Sequence, residues 1–182
     1  RDPGAEKAIE NELVTLINAA GGRTLALFTN RSVLERVAAN VAPRVSVDVL
    51  VQGAMSRQRL IETFRDDVDS CLFATASFWQ GIDVPGHALS LVVIDRLPFA
   101  YVGDPLSQAR RDRAGDAAFR LIDLPRATML LAQGVGRLIR SATDKGVVAV
   151  LDTRLATAQY RSQMLNRLPP MKRTRTQSDV VQ

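Results

Sequence analysis

The stretch AQGVGRLIRS at residues 132–141 gathers the groups best suited to act on a polyphosphate. A guanidinium is planar, always charged and rich in donors, and one aimed at a transferring phosphoryl group contributes about 10³ to 10⁵ in rate. Read as a helix, the stretch puts Gln133, Arg137 and Arg140 at i, i+4 and i+7, within roughly 60° of one another around the axis. Leu131, Val135 and Leu138 fall opposite and would face a core. Gly134 and Gly136 would each weaken a helix interior by about 1 kcal/mol relative to alanine, which points to a close approach of some group to the backbone. On these residues alone a solvated face, with Arg137 and Arg140 in salt bridges, is the competing reading.

The chain must supply elements to hold such a face. Its 182 residues suffice for one domain with a substantial core and are short for two. Hydrophobic residues are 46% and charged residues 24%, as in ordinary folded proteins, and no run of about 18 apolar residues or signal-like leader is present. A soluble, cytoplasmic chain without a membrane partner is expected. The single cysteine, Cys71, and single histidine, His87, provide neither a disulfide framework nor a metal-ligand pattern, so no metal site is predicted. Net charge is +5, which favours polyanion partners. Arg161, Arg167, Lys172, Arg173 and Arg175 dominate the end of the chain, where Pro169 and Pro170 break the preceding helix, so 169–182 reads as a solvated basic tail on a domain spanning 1–168.

Ile9, Leu13, Leu16 and Ile17 keep helical spacing up to a Gly21-Gly22 stop, and TLALF then forms a buried strand. Ser32 and Glu35 make a capping-box pattern for a helix through Val41, and Val45, Val47, Val49 and Val51 alternate as a strand does. A helix from Ser56 carrying Leu60, Ile61 and Phe64 leads to the strand CLFAT, and LVVID and VVAVL follow, the last before a helix ending near Leu168. Uniformly apolar strands alternating with helices predict a three-layer α/β domain with a mostly parallel sheet. Ligands bind such sheets beyond the carboxyl ends of the strands, here Thr29-Asn30, Gln52-Gly53, 76–86, Asp95 to Phe99 and Asp152 to Arg154. Residues 98–124, with Arg110, Arg111 and Arg113, read as an excursion on that side.

No GxxxxGK[ST] loop occurs, and no carboxylate pair is placed to hold magnesium, so this chain alone is not expected to hydrolyse ATP. Paired arginines aimed at a ligand edge, with no phosphate cradle beside them, suit the second half of a two-domain motor.

The motifs point the same way. QGVGRLIR at 133–140 resembles motif VI of superfamily-two helicases in its DinG/XPD-type form, ATASFWQGIDVPGHAL at 74–89 resembles motif V, and LALFTNRSVL at 25–34 resembles the motif that opens the second motor domain. VQGAMSRQRLIETFR, LPF followed by Asp104-Pro105-Leu106, and GVVAVLDTR complete the family's order over roughly residues 24 to 155. The resemblance implies a RecA-like fold and the C-terminal motor domain of an ATP-dependent DNA helicase that moves 5′ to 3′. It implies that Arg137 and Arg140 serve as γ-phosphate sensor and finger, Arg140 being the finger, and that Gln133 and Gly136 belong to the same nucleotide site. Gly81 and Asp83 would lie at the nucleotide cleft and couple it to the nucleic-acid track, while Thr29, Asn30 and Gln52 would face single-stranded DNA. Gln80 stands where the family commonly has glutamate, and Trp79 is a candidate either for stacking or for core packing. ATP and magnesium would be held mainly by a first motor domain absent from this sequence, the place also of any four-cysteine iron–sulfur insertion. The alternatives are a non-catalytic nucleic-acid or protein-binding module with decayed motifs, and an RNA-directed helicase.

Overall fold

The apolar runs become five parallel strands because both faces of each are covered. The computed structural model describes residues 3–75, 78, 89–100, 103–138 and 145–176. Strands β1 (Thr24–Phe28), β2 (Asp48–Val51), β3 (Ser70–Thr75), β4 (Leu91–Ile94) and β5 (Val147–Val150) lie in the order β2-β3-β1-β4-β5. All four pairings are parallel, with Thr24 opposite both Cys71 and Leu91. Helices α1 (Pro3–Ala20) and α2 (Arg31–Val41) cover one face, where Ile17, Val37 and Val41 meet Ala26, Phe28 and Phe73. Helices α3 (Arg57–Asp66) and α5 (Leu124–Val135) cover the other, where Phe64 and Leu131 meet Leu25, Leu27, Leu72 and Val92. The alternation along TLALF therefore splits its side chains between two cores, which accounts for an uninterrupted apolar strand. Cys71 is fully buried in this sheet, and burial pushes its thiol up to about 12, leaving it an inert core residue.

Between β4 and α5 the chain forms α4 (Pro105–Ala114), a 3₁₀ turn and a π-helical turn at Phe119–Asp123, all attached to the same domain. Beyond β5 the expected helix is broken: α6 (Arg154–Thr157) and α7 (Arg161–Leu165) are separated by the extended Ala158. Residues 169–176 carry neither helix nor strand, are exposed, and run beside the open edge of β5, with Arg173 donating to the Leu165 carbonyl at 2.8 Å. Among the described residues no helix is long and apolar enough to cross a membrane.

Three local expectations shift. The cap of α2 is Asn30 and not Ser32: Asn30 Oδ1 accepts from the Val33 N–H at 3.2 Å and from the Ser32 hydroxyl at 2.7 Å, so the helix starts at Arg31. Strand β2 begins only at Asp48, because Pro43 places a 3₁₀ turn at Ala42–Arg44. Val45, Val47, Val49 and Val51 nonetheless all pack toward the α1/α2 layer. The third shift concerns the arginine motif. Helix α5 ends at Val135, Gly136 is its C-cap, and the amides of Arg137 and Leu138 bond to the carbonyls of Gly134 and Val135 at 3.2 Å each, so Arg137 sits in a tight turn. Two glycines in three residues remove the propensity that would have carried the helix on. Arg137 therefore lies just past the helix, in the turn that follows Gly136, and Leu131, Val135 and Leu138 are buried as the pattern requires.

Candidate functional site

The carboxyl ends of the strands are fastened to one another by polar side chains. Gln52, just past β2, accepts at Oε1 from the N–H (2.7 Å) and hydroxyl (2.9 Å) of Thr75 at the end of β3. Asp95, just past β4, accepts at Oδ1 from the Thr29 N–H at 2.9 Å, at the end of β1. Asp152, just past β5, accepts at Oδ2 from the Leu97 N–H at 2.9 Å. Each of these side chains thus closes the gap to a neighbouring strand where the ladder stops.

Thr29, Asn30 and Gln52, the residues expected to face a nucleic-acid strand, do meet along this edge. Each also holds the scaffold: Thr29 through Asp95, Asn30 as the α2 cap and Gln52 through Thr75. Motif reading did not single out Arg31, which lies among them. Its guanidinium packs on Gly53, where a Cβ would come within 2.3 Å of Nη2, and it donates to the Gln52 carbonyl at 3.1 Å and to Glu35 at 2.8 Å. The only sequence signal was the Gly53 that makes room for it.

Charge along the edge is mixed at close range. Burial pushes Asp95 up to about 6, against the hydrogen bonds from the Thr29 and Arg96 backbone. Burial acts upward on Asp152 too, but hydrogen bonds from Arg154 and the Leu97 N–H prevail and hold it below the usual carboxylate range. Arg154 reaches Asp152 Oδ2 at 2.6 Å and lies 5.3 Å from the centroid of the Phe99 ring. At the opposite end of the edge, Arg57 stands 4.5 Å over the ring of buried Phe78, the one residue described between 76 and 88. Gly81, Asp83, Gln80, Trp79 and His87 lie outside the described residues, as does Arg140.

The glutamine–arginine motif is elsewhere. Helix α5 runs antiparallel to the strands: it follows the turn whose Phe119 stacks on Phe99 beyond β4, and it ends where Leu138 meets the amino ends of β4 and β5. A Cβ on Gly146 would lie 2.5 Å from the Ser90 carbonyl oxygen and 2.7 Å from a Leu138 methyl. For Arg137 the expectation of a place at the carboxyl edge is thus corrected, since twelve helical residues, about 18 Å, carry it to the amino end of the sheet. There Gln133 Oε1 is buried with no hydrogen-bond partner among the described residues, an acceptor left for a donor from outside them. Gly136 is exposed with φ −65°, so its close approach is to solvent and not to this domain's own core. Among the described residues no group of three His, Cys, Asp or Glu side chains could hold a metal ion.

A five-stranded parallel sheet with helices on both faces and a polar carboxyl edge is a RecA-like α/β fold, and solved structures agree. An XPD helicase matches with a TM-score of 0.70 at 20% identity, over 94% of this chain and 32% of that one. The helicase C-terminal domain family matches residues 13–171, and the chain belongs to that family. ATP-dependent helicase DinG of Mycobacterium tuberculosis is 44% identical over 99% of this chain, and ATP-dependent DNA helicase YoaA of Escherichia coli is 41% identical over 95%. The chain spans 28% of the length of each.

Proposed function

We propose that this chain is the second motor domain of a DinG-type, ATP-dependent DNA helicase. It supplies arginines to a nucleotide held by a first motor domain and contacts to a single DNA strand, and the parent protein moves 5′ to 3′. The observation that carries this reading is the membership of residues 13–171 in the helicase C-terminal family together with the Gln133–Arg137 turn set apart from the polar edge.

The two surfaces divide the work. At the end of α5, Arg137 and Arg140 stabilise the charge that develops on the γ-phosphate, Gln133 orients them, and Gly136 lets the nucleotide or the first domain approach. ATP and Mg²⁺ are gripped by the first domain; the residues here fit a contribution of guanidinium charge, and the Gln133 acceptor, which has no partner among the described residues, is met when the cleft closes. At the carboxyl edge, Thr29, Asn30 and Gln52, with Arg31 beside them, bind backbone phosphates without reading sequence. Gly81 and Asp83 link the two surfaces. The segment 169–182 adds a basic tail to a domain spanning 1–168.

The test is single-strand-stimulated ATP hydrolysis by the full-length protein that carries this domain, with Arg140→Ala and Arg137→Ala. Turnover should fall by at least a thousandfold in Arg140→Ala while ATP binding and thermal stability hold. Turnover within a few-fold of the unaltered protein would make the turn structural and leave a binding module. Stimulation by DNA and not by RNA separates the two substrate classes.

A further inference from the structure

Three aromatic rings from three separate segments meet at the carboxyl edge. Phe99 and Phe119 stack with centroids 5.7 Å apart and an interplanar angle of 26°. Tyr160 packs edge-on to Phe99 at 5.8 Å and tilted to Phe119 at 5.4 Å. Phe99 and Tyr160 are anchored against the core that lies under α3 and α5, whereas Phe119 stands outside it, 44% exposed. A ring that serves packing alone gains by turning inward; this one is held out, stacked on an anchored neighbour.

The backbone that holds it is built for position. Phe119 opens the π-helical turn, a conformation that is rare and recurs at functional sites. The other end of that turn is fixed by Asp123, whose carboxylate accepts from Arg111 Nε at 2.9 and 3.0 Å and from Arg111 Nη2 at 2.9 Å, both side chains being largely buried. The local charge favours a polyanion. Asp123 and Asp152 are neutralised by Arg111 and Arg154, leaving Arg96, Arg120 and Arg161 against Asp95 and Asp116 close in sequence to the rings, with Arg110 and Arg113 balanced by Asp104 and Asp112 on α4 and its N-cap. Aromatic faces set among arginines beside a backbone-binding edge are how proteins hold single-stranded nucleic acid without reading its sequence.

We propose that Phe119 is a base-stacking platform: a nucleobase of the bound single strand lies on its outer face and continues the Phe99–Phe119 stack. This rests on the reading above that a single strand runs along the carboxyl edge, and adds to it a site that phosphate contacts alone do not require.

The experiment uses the full-length protein and oligothymidylates carrying one 2-aminopurine at successive positions, whose fluorescence is quenched on stacking. One position should be quenched. In Phe119→Ala that quench should disappear and affinity fall roughly 5- to 150-fold, with the slope of affinity against salt unchanged because no charge is lost. Phe119→Trp should keep both. If Phe119→Ala melts early, Phe119→Leu, which keeps apolar bulk without an aromatic face, takes its place with the same expectation. Unchanged quenching and affinity overturn the platform while leaving the motor reading intact. Lost ATP turnover with quenching and affinity retained also overturns it, in favour of a contact with another protein domain. No binding of any single strand by the unaltered protein overturns both.

Discussion

The backbone N–H of Thr29 donates to Oδ1 of Asp95 at 2.9 Å, joining the ends of two adjacent strands, β1 and β4, through a carboxylate that is 3% exposed. A buried acid in this position must be ionised at neutral pH to be a pure acceptor, and it pays for that in lost hydration. The consequence is a pH dependence.

Asp95 is raised from 3.8 to about 6 in the folded protein, so the folded state binds its proton more tightly than the unfolded chain. Stability should therefore increase as pH falls from about 6 toward 3.8, by at most about 3 kcal/mol. Asp152, held below its ordinary value, acts in the opposite sense and only in more acid solution, where its protonation removes the contribution of the Arg154 and Leu97 bonds. Asp95→Asn keeps an acceptor for Thr29 and should abolish the gain between pH 7 and 4.5 in urea denaturation. A variant that retains the same gain would show that another group carries it.

Arg111 and Asp123 are 18% and 11% exposed and bonded in two places. Removing one partner leaves a buried charge alone, so Arg111→Ala should lower stability by about 3–5 kcal/mol, and Arg111→Met with Asp123→Leu should recover most of it. Chemical denaturation of both variants checks this; equal loss in the single and double variants would count against a buried pair.

Two glycines should respond in opposite ways. Gly22 has φ +83°, and a Cβ there would lie 2.6 Å from the Asp69 carbonyl carbon, so Gly22→Ala combines backbone strain with a backbone clash and should cost about 2 kcal/mol or more. Gly136 has an ordinary φ, and its Cβ would meet the Ala132 carbonyl oxygen at 3.2 Å and that of Gln133 at 3.7 Å, so Gly136→Ala should change stability by less than about 1 kcal/mol. A large drop in ATP turnover in Gly136→Ala without a drop in melting temperature would mark a functional approach at that backbone.

Gln52 separates holding the sheet from holding a ligand. Gln52→Ala deprives the Thr75 N–H and hydroxyl of their acceptor and should destabilise by about 1–3 kcal/mol. Gln52→Glu preserves that acceptor while adding negative charge, so the melting temperature should hold and affinity for a single strand should drop. Unchanged affinity would confine Gln52 to a scaffold role.

How much of this was legible beforehand follows the range of the forces involved. The strands, the helices of both layers and the parallel sheet were readable because apolar periodicity is a local record of which faces are covered, as in TLALF. Helix ends were less legible: Asn30 and Ser32 are both good caps, and only the geometry of the Val33 amide selects Asn30. What tertiary structure alone decided are the relationships across many residues. Thr29 and Asp95 are 66 positions apart, Leu97 and Asp152 are 55, and no pattern in the chain couples them. Nor could a helical wheel show that α5 points its arginine turn away from the polar edge, or that Phe99, Phe119 and Tyr160 would converge. Sequence determines which faces must be buried, because burial depends on residue type and local spacing. Which polar and aromatic groups then meet depends on how the buried layers pack, and packing is set by the whole chain at once.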